Sequence, residues 1–333
     1  MKRKVLLALL FLIAAGGAAY YVWRTLPQEA HPAADITDLS AVMDDMGNEV
    51  AAAKARLNEA KPARVIVRDE TRRAMALVVE GLPERTDTMR LLDVLERHKA
   101  KAVFFVEGDS AAFQPETIRA ITEAGQEIGN YTYVGMRKFQ ELPPEAMLGQ
   151  LLRTQKTVDT LIGRRPALFY APQLRLTPLV LQAVTAAEAG EVVWPNVFME
   201  RHTLHTADEA DAWAATVPQG SIIAIPGGQA VDVVTPQMEK KNERPAIDKK
   251  PNAVTPDKGA PPRPKAALAE EVDRMLTALE RRGFTFWTAG SFRHIDYVPE
   301  AGWGNVPGAS PAAAAGQPPV GSVDEGKEAP ADG

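Results

Sequence analysis

Glu80, Tyr131, Tyr133, Tyr170 and Trp194 are the side chains of this sequence whose types and settings suit them to meet a ligand. Glu80 closes the apolar run Ala76-Leu77-Val78-Val79. It is therefore expected at the C-terminal end of a strand, where parallel α/β folds build their sites. A carboxylate there can act as a general base or accept hydrogen bonds. The four aromatics offer flat faces on which a ring-bearing ligand can stack. His202 and His205 stand three apart in Glu200-Arg201-His202-Thr203-Leu204-His205 and would share a helix face. With Glu200 or Asp208 as a third donor they are a candidate zinc pair, although the stretch also reads as a surface loop. His98, in the charged run Glu96-Arg97-His98-Lys99, reads as a solvated helix end. His31 and His294 fall outside or at the edge of the folded region. The 333 residues contain no Cys, which removes thiolate nucleophiles, thiolate metal sites and disulfides. A net charge of -5 with no basic aromatic stripe argues against nucleic-acid binding.

Five segments carry a wider pattern. They are Ala76-Leu77-Val78-Val79-Glu80-Gly81-Leu82-Pro83, Ile128-Gly129-Asn130-Tyr131-Thr132-Tyr133-Val134-Gly135, Arg165-Pro166-Ala167-Leu168-Phe169-Tyr170-Ala171-Pro172, Val192-Val193-Trp194, and Gly220-Ser221-Ile222-Ile223-Ala224-Ile225-Pro226-Gly227. Together with the run Ala102-Val103-Phe104-Phe105-Val106-Glu107-Gly108, their order and spacing resemble the polysaccharide deacetylase family, the NodB-homology domain of carbohydrate esterase family 4. The resemblance implies a distorted, incomplete (β/α)7 barrel. It also implies metal-assisted hydrolysis of an acetyl group, with a metal bound by one Asp and two His, a second Asp as base, an orienting Arg and an acidic His. On this sequence Glu80 takes the place of the base and Gly81 that of the metal carboxylate. Tyr131 and Gly135 take the places of the two imidazoles, Tyr170 that of the arginine, and Pro226 that of the acid. The resemblance thus implies the fold without its metal ligands, and no cofactor is expected.

Two readings of activity follow. One is a pseudoenzyme that binds envelope polysaccharide or peptidoglycan through Glu80, Tyr131, Tyr133, Tyr170 and Trp194, or that serves as a scaffold. The other is a hydrolase of N-acetyl bonds with a site rebuilt around Glu80.

The elements that must position these residues read as strands alternating with helices, a parallel α/β architecture over 63–293. A doubly wound sheet is the alternative from pattern alone. Upstream, Lys2, Arg3 and Lys4 precede an apolar run that opens at Val5 and closes at Trp23. It is long enough to cross a bilayer, with Tyr20, Tyr21 and Trp23 at its far interface. A single-pass anchor in the cytoplasmic membrane, with the domain in the periplasm or outside the cell, is the expectation; a cleaved signal peptide is the competing one. Over 24–62 a helical stalk is expected, with Ile36, Leu39, Met43, Met46, Val50, Ala53 and Leu57 at heptad spacing. That seam either pairs two chains as a coiled coil or lays one helix on the domain's own surface. The Pro- and Lys-rich stretch 236–265 and the tail 294–333 have compositions that predict disorder.

Overall fold

The structure is a computed structural model that describes residues 46–228 and 267–296. The expected anchor, the first part of the stalk, the insertion 236–265 and most of the tail lie outside the described residues. Among those described, no helix is long and apolar enough to cross a membrane.

Three strands form the centre. β2 (Ala74–Glu80), β3 (Ala102–Val106) and β8 (Ile222–Pro226) are apolar and buried almost throughout, as expected of parallel strands covered on both faces. β4 (Glu127–Asn130), β5 (Leu168–Phe169), β6 (Glu191–Val193) and β1 (Val65–Val67) extend one flank, and β7 (Val197–Phe198) the other. The order is β10-β1-β6-β5-β4-β3-β2-β8-β7, with β9 (Thr285–Trp287) pairing with the start of β2. Every pairing is parallel except that of β10 (Arg293–Ile295) with β1. The result is an α/β sheet curled into a half-barrel, in keeping with the distorted, incomplete barrel expected but with ten strands among the described residues rather than seven. Short strands account for the difference. β10 occupies the start of the predicted tail, while β7 and helix α7 (Ala207–Thr216) flank the stretch from Glu200 to His205, which is a loop as expected.

The outer layer is α1 (Met46–Leu57), α2 (Arg85–Arg97), α3 (Gly108–Phe113), α4 (Pro115–Glu123), α5 (Pro144–Ile162), α6 (Pro178–Ala186), α7 and α8 (Leu268–Arg281). Local chemistry sets their ends. Pro178 opens α6 behind Thr177, whose hydroxyl accepts the Val180 amide at 3.2 Å. Thr206 and Glu209 form a capping box on α7. Gly163 closes α5 in the left-handed conformation that a β-carbon would strain.

The heptad pattern resolves in favour of the single helix over 46–57. Met46, Ala53 and Leu57 are buried and Val50 is half-buried, in one cluster with Met147, Leu148 and Leu151 of α5 and Leu181 and Val184 of α6. Lys54 reaches Glu145 at 2.7 Å and Arg56 donates to the Ala186 carbonyl at 2.9 Å. Over 46–57 the apolar face is buried against α5 and α6 of the same chain. Ile36, Leu39 and Met43 lie outside the described residues.

His98 is also corrected. Its side chain is only 10 % exposed and bridges α2 to α8, with Nε2 2.9 Å from Asp273 and Nδ1 3.0 Å from Glu280. The charged run around it conceals a helix-to-helix clamp that polarity alone does not reveal.

Truncating Leu57 to Ala is expected to cost about 2–4 kcal/mol in urea denaturation, because the side chain is buried between α1, α5 and α6. A cost near zero would mean that α1 does not dock on the domain in solution.

Candidate functional site

Side chains alternate along a strand, so every second residue faces the interior of the curl. In β2 that column is Ala74, Ala76, Val78, then Glu80. In β3 and just past it, the column is Val103, Phe105, then Glu107. Beyond β4 it is Gly129, then Tyr131; beyond β5 it is Leu168, then Tyr170; in β8 it is Ile222, Ala224, then Pro226. The lower members pack as one interior cluster that also contains Tyr131 and Tyr170. Each column is apolar until its last position, and the last positions converge at the C-terminal rim. Gly129 is required there: a β-carbon on it would stand 2.5 Å from the Phe105 ring.

At this rim lies a cavity of about 290 Å³, lined among others by Glu80, Tyr131, Tyr170, Gln173, Phe198 and Arg137. The Tyr170 hydroxyl donates to the Glu80 carboxylate, and the Tyr131 and Tyr170 rings lie 5.8 Å apart. Burial raises the Glu80 carboxyl above the usual range, and the Tyr170 hydrogen bond only partly offsets it. Burial pushes both phenols well above their usual range, and the nearby Glu80 adds to this. Phe198 stands on the rim with 43 % of its surface exposed.

Behind the cavity is Glu107, 4 % exposed. Its Oε2 accepts the Leu82 amide at 2.8 Å. Its Oε1 is packed against three glycine backbones. A β-carbon would stand 2.7 Å from that oxygen if built on Gly81, 3.0 Å on Gly135 and 3.1 Å on Gly228. Gly81 and Gly135 also have φ of +78° and +62°, where side chains are strained. A β-carbon on Gly81 would further come within 2.8 Å of the Gly228 backbone. Desolvation pushes the Glu107 carboxyl up to about 7, with Asp109 adding to the shift and two backbone amides, those of Leu82 and Glu107 itself, opposing it. Gly81, Tyr131 and Gly135 are the three positions that the resemblance assigns to metal ligands. Two of them offer no donor and the third offers a phenol held in its neutral form. The residues present at those positions do not fit a divalent cation.

The loop that follows β4 is held rigidly. Asn130 donates to the Leu151 carbonyl at 3.0 Å and accepts the Thr132 amide at 2.9 Å. Thr132 is fully buried with φ +69°, a rare conformation for a β-branched residue. Its hydroxyl accepts the Met136 amide at 3.1 Å. Tyr131 is thereby fixed on the cavity wall.

Other expected residues fall elsewhere. Tyr133 is half-buried with its amide on Gln150 at 3.0 Å and the Arg153 guanidinium 5.7 Å from its ring centroid, away from the cavity lining. The Tyr133 amide faces α5, which draws the ring off the rim. Trp194 lies just past β6, with its amide on the Ile66 carbonyl and its ring against the larger core cluster. His202 and His205 form no metal cluster: no group of three or more potential ligands occurs among the described residues. Their loop is organised instead by Glu271 of α8, a fully buried carboxylate that accepts the amides of His202 at 3.1 Å, Thr203 at 2.9 Å and Leu204 at 3.2 Å. Glu107, Arg137, Gln173 and Phe198 were not singled out by residue type. Only the strand columns point to Glu107.

Residues 68–191 match the family model described as polysaccharide deacetylase. This stretch of the chain has the sequence pattern of a polysaccharide deacetylase domain. Among curated proteins it is 26 % identical over 187 residues to a peptidoglycan-N-acetylglucosamine deacetylase of Bacillus cereus, covering 51 % of this chain and 65 % of that one. It is 28 % identical over 126 residues to the peptidoglycan-N-acetylmuramic acid deacetylase PdaC of Bacillus subtilis, covering 36 % of this chain and 27 % of that one. The chain thus spans less than two thirds of the length of these relatives. In fold it is similar to BA3943, a CE4 family pseudoenzyme from Bacillus anthracis, with a TM-score of 0.51 at 18 % identity over 71 % of this chain and 70 % of that one. It is similar also to the Bc1960 peptidoglycan N-acetylglucosamine deacetylase, with a TM-score of 0.52 at 19 % identity over 72 % and 95 %.

The raised carboxyl of Glu107 has a definite sign in stability. Between about pH 4.5 and about pH 7 the folded chain holds a proton that the unfolded chain has released. Stability from this group is full below that window and falls as pH rises through it, by about 3 kcal/mol at most. Glu107→Gln should flatten the slope of unfolding free energy against pH across the window. Glu80 leaves a residual slope of the same sign. An unchanged slope would assign the titration elsewhere. Separately, Glu271→Ala orphans three amides and should cost about 3 kcal/mol in the same assay.

Proposed function

We propose that this chain is a membrane-anchored, exported protein of the polysaccharide deacetylase family that binds envelope glycan and does not carry out metal-assisted deacetylation. The observation that carries the second half is the position of Glu107. Its carboxylate fills the point on which Gly81 and Gly135 close, and among the described residues no donor set for a Lewis acid surrounds it. The support for glycan binding is the cavity. Its volume, at the small end for ligand pockets, suits a single sugar ring. Glu80, Gln173 and Arg137 offer hydrogen-bonding groups to ring hydroxyls, and exposed Phe198 offers a stacking face. Peptidoglycan is the first candidate, since the two curated relatives named above are peptidoglycan deacetylases. The anchor reading rests on the basic start and the apolar run from Val5 to Trp23.

One observation favours a second reading. Glu80 faces the cavity with a raised carboxyl and a tyrosine partner, a setting in which a carboxyl group can serve as a general base. A hydrolase built around Glu80 is therefore the alternative, without His202 and His205, which lie on the Glu271 loop.

Two measurements separate the readings. Purified protein exposed to zinc is expected to retain less than stoichiometric metal and to release no acetate from peptidoglycan or N-acetylglucosamine oligomers. It is expected to sediment with peptidoglycan, and Phe198→Ala should weaken that retention about tenfold. Acetate release abolished by Glu80→Gln would establish the alternative. Absence of retention by peptidoglycan and the oligomers alike would end the glycan reading.

A further inference from the structure

We propose that the cavity takes sugar acids, pyranose rings that carry a carboxylate, and that Arg137 and Gln173 grip this carboxylate beside Glu80. This rests on the glycan reading and names the chemical class of its ligand.

Three observations lead to it. First, the lining sets one guanidinium beside one carboxyl group. Arg137 and Glu80 share the cavity with the Tyr131 and Tyr170 phenols, both held in their neutral forms. Arg137 is engaged within the chain, but a guanidinium has five N–H donors in a planar fork that matches two carboxylate oxygens. Second, the loops that bring donors to this space are held in place. Gln173 is exposed on the lining with φ +52°, and Lys138, next to Arg137, has φ +58°. Left-handed backbone at residues other than glycine costs energy and gathers at ligand sites. The Gln140 side chain accepts the Arg175 amide at 3.0 Å, which ties the loop of Arg137 to the loop of Gln173. Third, cations outnumber acids on the segments around the lining. Arg137, Lys138 and Arg175 share these two loops with Glu141. Arg201, beside Glu200, donates to the carbonyl of the lining residue Pro226 at 3.4 Å.

Glu80 makes the favoured anion a carboxylate. It shares the lining with Tyr170 past β5, Tyr131 past β4 and Arg137 in the loop after β4; past β8, Pro226 and Gly228 bring no titratable group. Glu107 is outside the lining and acts on this wall through the Tyr131 phenol. Burial already favours the protonated form of Glu80, and a second carboxylate alongside favours it further. Two carboxyl groups of similar strength then share one proton, with the Glu80 O–H donating to the ligand oxygen. A phosphodiester is too weak a base to share it. Binding of a sugar acid therefore takes up a proton, and its affinity falls as pH rises.

The test is titration calorimetry on the full chain at about pH 6, with each acid set against its own methyl ester. The pairs are trigalacturonic acid and N-acetylmuramic acid with their esters. The tetramer of N-acetylglucosamine serves as a neutral sugar, and tricarballylate and poly(glycerol phosphate) as anions without a sugar-acid ring. At least one acid is expected to bind about tenfold more tightly than its ester. A preference confined to trigalacturonic acid supports a carboxylate on the ring itself; one confined to N-acetylmuramic acid supports a carboxylate on an ether side chain. Arg137→Gln should erase the preference and Arg137→Lys restore part of it. The ratio of acid to ester affinity should fall from about pH 5 to about pH 8. Esters that bind as tightly as their acids overturn the proposal and leave glycan binding standing. Tricarballylate or poly(glycerol phosphate) binding as tightly as the better acid also overturns it, as attraction of anions in general. A ratio that stays constant with pH overturns the placement of the carboxylate beside Glu80. Binding of no sugar, the N-acetylglucosamine tetramer included, overturns both readings. The comparison of probes on the unaltered chain decides the question even where Arg137→Gln fails to fold.

Discussion

A single buried carboxylate organises the rim of this protein. Glu107 accepts the Leu82 amide with one oxygen and presses the other against the backbones of Gly81, Gly135 and Gly228. Those residues come from the ends of β2 and β8 and from the loop after β4, so one side chain ties three chain segments together. A buried charge is costly unless it is hydrogen-bonded or neutralised. Here both remedies operate, because an amide holds it and desolvation favours its protonated form. The glycines are the counterpart of this arrangement. Each lacks the β-carbon that would collide with the carboxylate, and two take left-handed conformations that allow the loops to fold over it. The residue types at these positions are therefore matched to one another.

The cavity inherits its character from that closure. Its wall is made by Glu80, Tyr131 and Tyr170, the last polar or amphipathic members of columns that are otherwise apolar. Edge contact between Phe105 and Tyr170, with centroids 5.6 Å apart, passes the packing of the interior directly to the cavity wall. Asn130 and Thr132 fix the opposite wall through backbone bonds, at the expense of one strained β-branched residue. A rigid wall of this kind favours recognition by preorganised groups over rearrangement on binding.

Much of this was legible in the sequence, and the reasons are specific. The central strands are read easily because they are continuous apolar runs, and the family-like segments carry Glu80, Tyr131 and Tyr170, which line one cavity. Tyr133 and Trp194 lie away from the cavity lining, because proximity in sequence to a rim residue does not fix direction. Tyr133 turns away on a backbone held by Gln150, and Trp194 packs inward. Residue type does not single out Glu107, whereas the every-second-residue column Val103, Phe105, Glu107 carries it to the rim. His98 and the loop from His202 to Leu204 share another cause. Their partners Asp273, Glu280 and Glu271 lie on α8, distant in the chain, and no local pattern reports a long-range polar clamp.

Glu271 also fixes where α8 must sit, by gripping the loop ahead of α7 from the far side of a long connection. At the other end of that connection Gly227 and Gly228 are both tethered to the Glu80 carbonyl. The departure and return points of the intervening chain are thus anchored independently of its length. Since the entropy of closing a loop grows only logarithmically with its length, the scaffold can host spacers of very different size and composition at this one place. It is a natural port for grafted sequence, opening beside the cavity at Gly228.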